Sequence, residues 1–425
     1  MSTGATTTEA AAGQEPEIEP VEEFRARARA WIREHLPPAP EDPDDRTEAR
    51  WAHERQLQRL LWEGGFAGIC FPREYGGLGL TPAHQRAFTA EAEGYDMPFA
   101  TNVPTLGILA ATLVDVGTHE QKARHLPAIL RGEELWVQFL SEPSGGSDLA
   151  GVLTRADRDG DVFVLNGSKI WSSGAYVADY AMCLARTNWD VPKHRGLTMF
   201  IVKIHQPGVT VERIRQVDGS EEFCQEFFDD VVVPASDVVG EVDQGWSVAT
   251  RLLVHERMAV GGGSPYTSGR PVGRETGGPS DDLVELLRAR GLEHDTGARR
   301  TLAEAHVQSL VGRHLVRRVT QGMACGAMPP PAGAIMKLFH GTSIMRRSEL
   351  ALTLAGEDAV AWPTDGGPGS DVGVSSLARQ GASLGGGSNE IQRNIISERL
   401  LGMPREAAGD HEVPYREVPR GGGTR

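Results

Sequence analysis

The chain of 425 residues, 40% hydrophobic and 24% charged, has material for two to three packed units and a sizeable core. Its formal net charge of −15 argues against nucleic acid and anionic lipid as partners, because phosphate binding needs a basic surface. No apolar stretch reads as long enough to span a bilayer, so no membrane insertion is expected.

The opening stretch, MSTGATTTEAAAGQEPEIEP, is acidic and rich in small residues; it reads as a disordered tail over 1–20 and not as a signal peptide. Helical periodicity begins with VEEFRARARAWIREHL and resumes at RWAHERQLQRLLWEGG. FPREYGGLGL (71–80) is a loop punctuated by proline and glycine, and helical pattern returns over about 81–135. Within it, THEQKARHLPAIL offers Thr118 as an N-cap with Gln121 three residues on. From Trp136 to about Val239 the segments turn short and β-rich: WVQFLSEP, VFVLNG, YAMCLAR, LTMFIVKI, VTVERI and FFDDVVVP. Helix returns with WSVATRLLVHERMAV, and the Gly/Pro/Ser stretch 261–282 must be loop. Two long amphipathic runs follow, then NEIQRNIISERLLGM, and residues after about 406 read as a loose tail. The order is helices, strands, helices: 21–135, 136–240 and 241–406, with tails at 1–20 and 407–425. Cys70, Cys183, Cys224 and Cys325 lack metal-ligand spacing and read as reduced core thiols of a cytoplasmic protein; no metal site is expected.

Three stretches have their side chains cleared or replaced by hydroxyls. LSEPSGGSDLAG (140–151) places Ser141 and Ser147 on a glycine-containing loop able to offer backbone N–H groups to a polar ring or a phosphate. LNGSKIWSSGAYVADY follows, with Trp171 before Ser172 and Ser173. SLGGGSNEIQRN (383–394) brings three glycines together, so the backbone there is free to approach a ligand closely. Taken singly, each has an ordinary explanation as a turn, a core tryptophan or a flexible loop.

Together and in this order they resemble the acyl-CoA dehydrogenase family, and the resemblance runs from about residue 20 to 405. It includes FPREYGGLGL, GTHEQKARHLP, LSEPSGGSD, LNGSKIWSS, FFDDVVVPASDVVGEVDQGW and GGGSNEIQRNIISERLLGMPRE. The resemblance implies an α+β multi-domain fold: a helical N-terminal domain, a middle β-barrel and a C-terminal four-helix bundle. It implies FAD between the barrel and the C-terminal helices, an acyl thioester substrate and an external acceptor such as an electron-transfer flavoprotein. Gln138, Leu140 and Ser141 match positions along the flavin ring, and Trp171, Ser172 and Ser173 match the element beside its N5 edge. Ser147 matches a residue near the pantetheine or phosphate of the thioester. Ser388 and Glu390 match the pair that meets the cofactor from the C-terminal domain. Gly386, with Gly387, matches the backbone donor to the thioester carbonyl.

Many family members carry a glutamate at the position of Gly386 as the base for the α-proton; this chain cannot use it. Isovaleryl and long-chain members place the glutamate on an earlier helix, at the position matching Glu256. A glutamate followed by arginine on a helix is commonly a solvated pair. Against that, Leu252, Leu253, Val254, Met258 and Val260 are apolar, and such surroundings raise a carboxyl pKa toward the range of a general base. The adjacent His255 points about 100° away on a helix, so the two cannot address one carbon.

The family's RxxFG element, whose arginine reaches a neighbouring subunit's cofactor pyrophosphate, is missing here; Arg288 or Arg290 could substitute, but both read as ordinary surface arginines. Four functions therefore remain at this point. They are an acyl-CoA or acyl-carrier dehydrogenase, a same-fold flavin monooxygenase or oxidase, one subunit of a heteromeric dehydrogenase, and a degenerate scaffold. The expected assembly is a homodimer or homotetramer, or a heteromer with a related chain.

Overall fold

An apolar residue at every fourth position of α1 (Val21–His35) leaves Phe24, Ala28 and Ile32 on one side, and all three are fully buried. They meet α2 (Glu48–Glu63), which is capped by Thr47, and α3 (Pro82–Glu91) in a core with Leu57, Phe66 and Phe88. α4 (Phe99–Asn102) runs on through a π-helical stretch, Val103–Ala110, into α5 (Ala111–Val116). This run is long and apolar enough to cross a membrane by length and composition, contrary to the expectation from sequence. It is mostly buried within the fold, as a core helix is. α6 (His119–Leu130) starts at the expected capping box: Gln121 N–H donates to Thr118 Oγ1, and Thr118 N–H donates to Gln121 Oε1.

The computed structural model describes residues 18–40, 46–260, 263–268, 281–361, 368–405 and 412–419. Most of the N-terminal tail and most of the 261–282 loop lie outside the described residues.

The middle segment forms one eight-stranded sheet: β1 (Trp136–Phe139), β2 (Arg155–Asp159), β3 (Val162–Ser173), β4 (Tyr180–Arg186), β5 (Leu197–Lys203), β6 (Val209–Arg213), β7 (Phe223–Pro234) and β8 (Val238–Val239). The strand order is β6-β7-β3-β2-β4-β5-β8, and β1 lies parallel to β4. Alternating residues close an interior of Phe139, Phe163, Leu165, Phe200 and Phe228. β3 carries two register irregularities against β7, and the second skips Trp171.

The C-terminal part is helical: α7 (Gly245–Val260), α8 (Asp281–Ala289), α9 (Thr296–Ala324), α10 (Gly333–Ala355), α11 (Pro368–Ala378), α12 (Gly381–Leu384) and α13 (Asn389–Ile395). α7 is the keystone between domains, since Val248, Ala249, Leu252 and Ala259 share a core with Leu106 and Leu109 of the π-helical stretch and with Met199 of the sheet. The approach is close: a Cβ on Gly107 would lie 2.8 Å from that of Ala259.

Two further expectations need correction. Residues 412–419 are not a loose tail. Tyr415 is buried, its hydroxyl donates to the Gly151 carbonyl at 2.5 Å, and its ring stacks beneath the Arg186 guanidinium 3.7 Å away. The segment carries one aromatic residue that the middle domain can bury, which a composition-based reading overlooks. Of the four thiols, Cys183 and Cys224 are buried and Cys70 is half-buried, but Cys325 is exposed at the C-terminal end of α9.

Candidate active site

β1 delivers the first site residues where it leaves the sheet. Its interior faces are Val137 and Phe139, so Gln138 points the other way, toward α7. Gln138 Nε2 donates to Glu256 Oε2 at 2.9 Å across 118 residues of sequence. Beyond β1 the chain turns through Leu140, Ser141 and Glu142. Glu142 is buried and accepts from Leu153 N–H at 2.5 Å and Thr154 N–H at 2.9 Å, which shapes the SEPSGGSD loop. Lys169, wholly inaccessible, joins the same point: its Nζ donates to Glu142 Oε1 at 2.8 Å and to the Leu140 carbonyl at 3.1 Å. Burial alone would raise the Glu142 pKa; the Lys169 ammonium and the surrounding donors outweigh it and hold the carboxyl below the usual range.

Ile170 N–H donates to the Ser141 carbonyl at 3.0 Å, which sets the WSS element beside this loop. Trp171 is the extra residue at the β3 irregularity and has φ +70°, a left-handed conformation that a tryptophan adopts only under constraint. The bulge swings its ring out of the sheet: it is 53% exposed, with one edge held perpendicular to Phe223. Ser172 turns inward and Ser173 outward. Ser172 Oγ lies 3.2 Å from the Gln138 carbonyl oxygen and 3.1 Å from Glu226 Oε2.

Glu256 sits on α7 one turn after Leu252. It is partly buried, and burial raises its pKa against the opposing pull of the Gln138 amide and of Arg257. The apolar neighbours along the helix supply less of this burial than the sequence suggests. Leu252 is buried, but Val254, Met258 and Val260 are exposed. The enclosure comes instead from β1 and from the glycine loop. Gly386 has φ +66°, and a Cβ added there would stand 3.9 Å from Glu256 Oε1 and 3.4 Å from Lys337 Cε. Lys337 on α10 donates to the Ala382 carbonyl at 2.8 Å, and burial lowers its pKa. Gly387 has φ +88° and is crowded by Gln392, whose Nε2 donates to the Gly387 carbonyl at 3.3 Å. His255 faces away from Glu256 and bonds Asp115 on α5 at 3.0 Å.

Hydrogen bonds and chain adjacency thus bring Gln138, Leu140, Ser141, Ser172 and Glu256 together, with Trp171 and Ser173 flanking Ser172 on β3 and Gly386 close to Glu256. Ser147 lies exposed on the adjoining loop, near Ser141 in the sense that a Cβ on Gly146 would be 3.5 Å from Ser141 Oγ. Ser388 is differently employed: its hydroxyl accepts from Ile391 N–H and caps α13. Glu390 is exposed and pairs with Arg393 at 3.3 Å. Arg288 is exposed, while Arg290 is engaged by Asp358.

Sequence reading missed Lys169, Glu142, Glu226 and Lys337. Alternation along FCQEFFDD could have found Glu226, since Cys224, Glu226 and Phe228 all face inward.

These residues fit a planar, hydrogen-bonding cofactor. The Trp171 ring is 53% exposed and meets Phe223 edge-on, which leaves ring surface open, and Ser173 stands exposed beside it. A flat heteroaromatic ring with polar edges uses both features.

The chain matches the acyl-CoA dehydrogenase N-terminal domain over residues 19–133, the middle domain over 138–231 and the C-terminal domain over 243–401. It belongs to the acyl-CoA dehydrogenase family, and is an oxidoreductase acting on CH–CH donors. Among its relatives, it is 35% identical to the acyl-CoA dehydrogenase IpdE1 of Mycobacterium tuberculosis over 92% of this chain and all of that one. The solved steroid ACAD Tcur3481-Tcur3483 superimposes with a TM-score of 0.71 at 30% identity, over 91% of this chain and 99% of that chain. The ChsE4-ChsE5 complex from Mycobacterium tuberculosis gives 0.67 at 27% identity, over 92% of this chain and all of that chain.

Proposed function

We propose that the protein catalyses the FAD-dependent α,β-dehydrogenation of an acyl-CoA thioester, with Glu256 as the base. The observation that supports this most is the convergence of Glu256 and Gly386. The two chain positions at which the family places its glutamate lie against each other, with one filled and the other empty of side chain. A carboxylate on α7 then occupies the space that a side chain on residue 386 would otherwise take.

In this reading the substrate loses its α-hydrogen as a proton to the Glu256 carboxylate and its β-hydrogen with the electron pair, and a C=C bond forms between the two carbons. FAD, when bound, supplies the acceptor for that hydride. Trp171, Ser141 and Ser173 would hold its ring. Gln138 keeps one Glu256 oxygen fixed and leaves Oε1 for the proton. The left-handed turn at Gly386 and Gly387 permits close backbone approach, where an N–H can polarise the thioester carbonyl.

A second part of the proposal concerns assembly and substrate. The solved relatives include the two-protein assemblies Tcur3481-Tcur3483 and ChsE4-ChsE5. Arg288 is exposed and Arg290 is engaged by Asp358, and the absence of the family's RxxFG element from the sequence accords with a subunit that needs a different partner chain. The name of the first of these relatives makes a steroid-type acyl group the substrate to try first. The four free thiols accord with a cytoplasmic setting.

The test is to purify the chain alone and add acyl-CoAs, including steroid-type ones, without oxygen. The proposal expects a yellow protein that bleaches with at least one thioester. A yellow protein reduced by none contradicts it. A colourless one that gains colour only with a second, related chain supports the heteromeric form.

A further inference from the structure

Two buried carboxylates, Glu142 and Glu226, neighbour the buried Lys169, the first through an ion pair and the second through strand pairing. Lys169 stands directly across from Glu226 in the β3–β7 pairing, yet its ammonium is committed to Glu142 and to the Leu140 carbonyl. Glu226 is fully inaccessible; among the described residues its carboxyl meets one side-chain hydrogen-bond partner, Ser172 Oγ, 3.1 Å from Oε2, and its Oε1 has none. The same Ser172 Oγ lies 3.2 Å from the Gln138 carbonyl oxygen. A serine hydroxyl has one proton and cannot donate to a carboxylate and a carbonyl together. Both contacts are satisfied when Glu226 is protonated and donates to Ser172 Oγ, which leaves Ser172 free to donate to Gln138. An ionised Glu226 would instead be a second buried anion with one oxygen unpaired, an expensive state.

We propose that Glu226 is a positioning residue for the reaction: as a neutral acid it donates to Ser172, so that Ser172 holds the backbone of Gln138, whose side chain in turn donates to Glu256. The consequence for catalysis rests on the reading of Glu256 as the base. Burial pushes the Glu226 carboxyl up to about 8, against the opposing pull of Ser172 and Lys169. The other groups facing it are Glu142, whose charge Lys169 matches, and the thiols of Cys183 and Cys224, which burial raises to about 12 and about 11. One acid is thus held ionised and its neighbour neutral around one lysine. Once Glu226 ionises, its carboxylate accepts the hydrogen bond from the Ser172 hydroxyl and the Gln138 carbonyl loses its donor.

The test compares the wild-type holoprotein with Glu226→Gln, whose amide donates permanently, and Glu226→Val, which cannot donate. Three quantities are read across pH: the infrared band of a protonated carboxyl, the thermal midpoint, and the rate of flavin reduction by thioester. The wild type is expected to show the band at neutral pH and to lose it as pH rises through about 8. Its thermal midpoint should fall as pH rises from the ordinary 4.5 and level off above about 8, because between those values the folded state holds a proton that the unfolded chain has already released. Glu226→Gln should lack the band and the fall, keep its FAD, and reduce without an alkaline decline. Glu226→Val should reduce roughly tenfold more slowly, the size of one buried hydrogen bond lost. Absence of the band in the wild type at neutral pH, or an unchanged alkaline decline in Glu226→Gln, overturns the role of Glu226. If no thioester reduces the wild type, the dehydrogenation reading and its catalytic consequence fail, while the band and the thermal midpoint still decide where the proton sits.

Discussion

Glu256 illustrates how one side chain takes its properties from residues far away in sequence. Its neighbours on α7 are partly in solvent, and its raised pKa comes from packing against β1 and the glycine loop. A base must be ionised to accept a proton. The rate of flavin reduction should therefore fall as pH drops, with a midpoint above the 4.5 of an ordinary glutamate. Rapid-mixing kinetics over pH measures this, and a midpoint at or below the ordinary value would show that the carboxyl is not enclosed. The 100° step of a helix showed that Glu256 and His255 cannot address one carbon, and the structure turns His255 to Asp115. That Gln138 is the partner of Glu256 was not legible, because no local pattern links residues 118 positions apart.

At the scale of elements, helices with a regular apolar stripe were the easiest to read, as in α1, where Phe24, Ala28 and Ile32 are all buried. β2 was missed for a physical reason. Its sequence RADRD has four charged residues of five, and only Ala156 faces inward. Pairing with β3 through a tight turn at Gly160 makes it a strand, a tertiary override of a weak local preference. The bulge that exposes Trp171 was equally silent, since an irregularity is a property of two strands and not of one. The C-terminal segment offers a test at this scale. Tyr415→Phe removes the hydroxyl that reaches Gly151 while leaving a ring under Arg186. It should cost about 1 kcal/mol in a denaturant titration. No change would mean that the hydroxyl contributes nothing and that the ring and the backbone bonds to Val191 and Trp189 hold the segment.

For the whole molecule, the helix, strand, helix order carried the domain layout, because change of periodicity marks change of layer. What one chain's order leaves open is how the domains meet. α7 answers that, since it packs on the π-helical stretch of the N-terminal domain, touches the sheet, and carries Glu256 on its free side. In the proposed reading the reacting groups come from the middle domain, from α7 and from the loop before α13, so that no domain alone contains the site. Glu256→Gln, nearly the same in shape, tests this most directly when mixed anaerobically with a thioester that reduces the wild type. The account predicts normal FAD content, retained thioester binding and loss of flavin reduction by at least a thousandfold, on the order of what an essential base contributes. Reduction at close to the wild-type rate would contradict it and remove Glu256 from the chemistry.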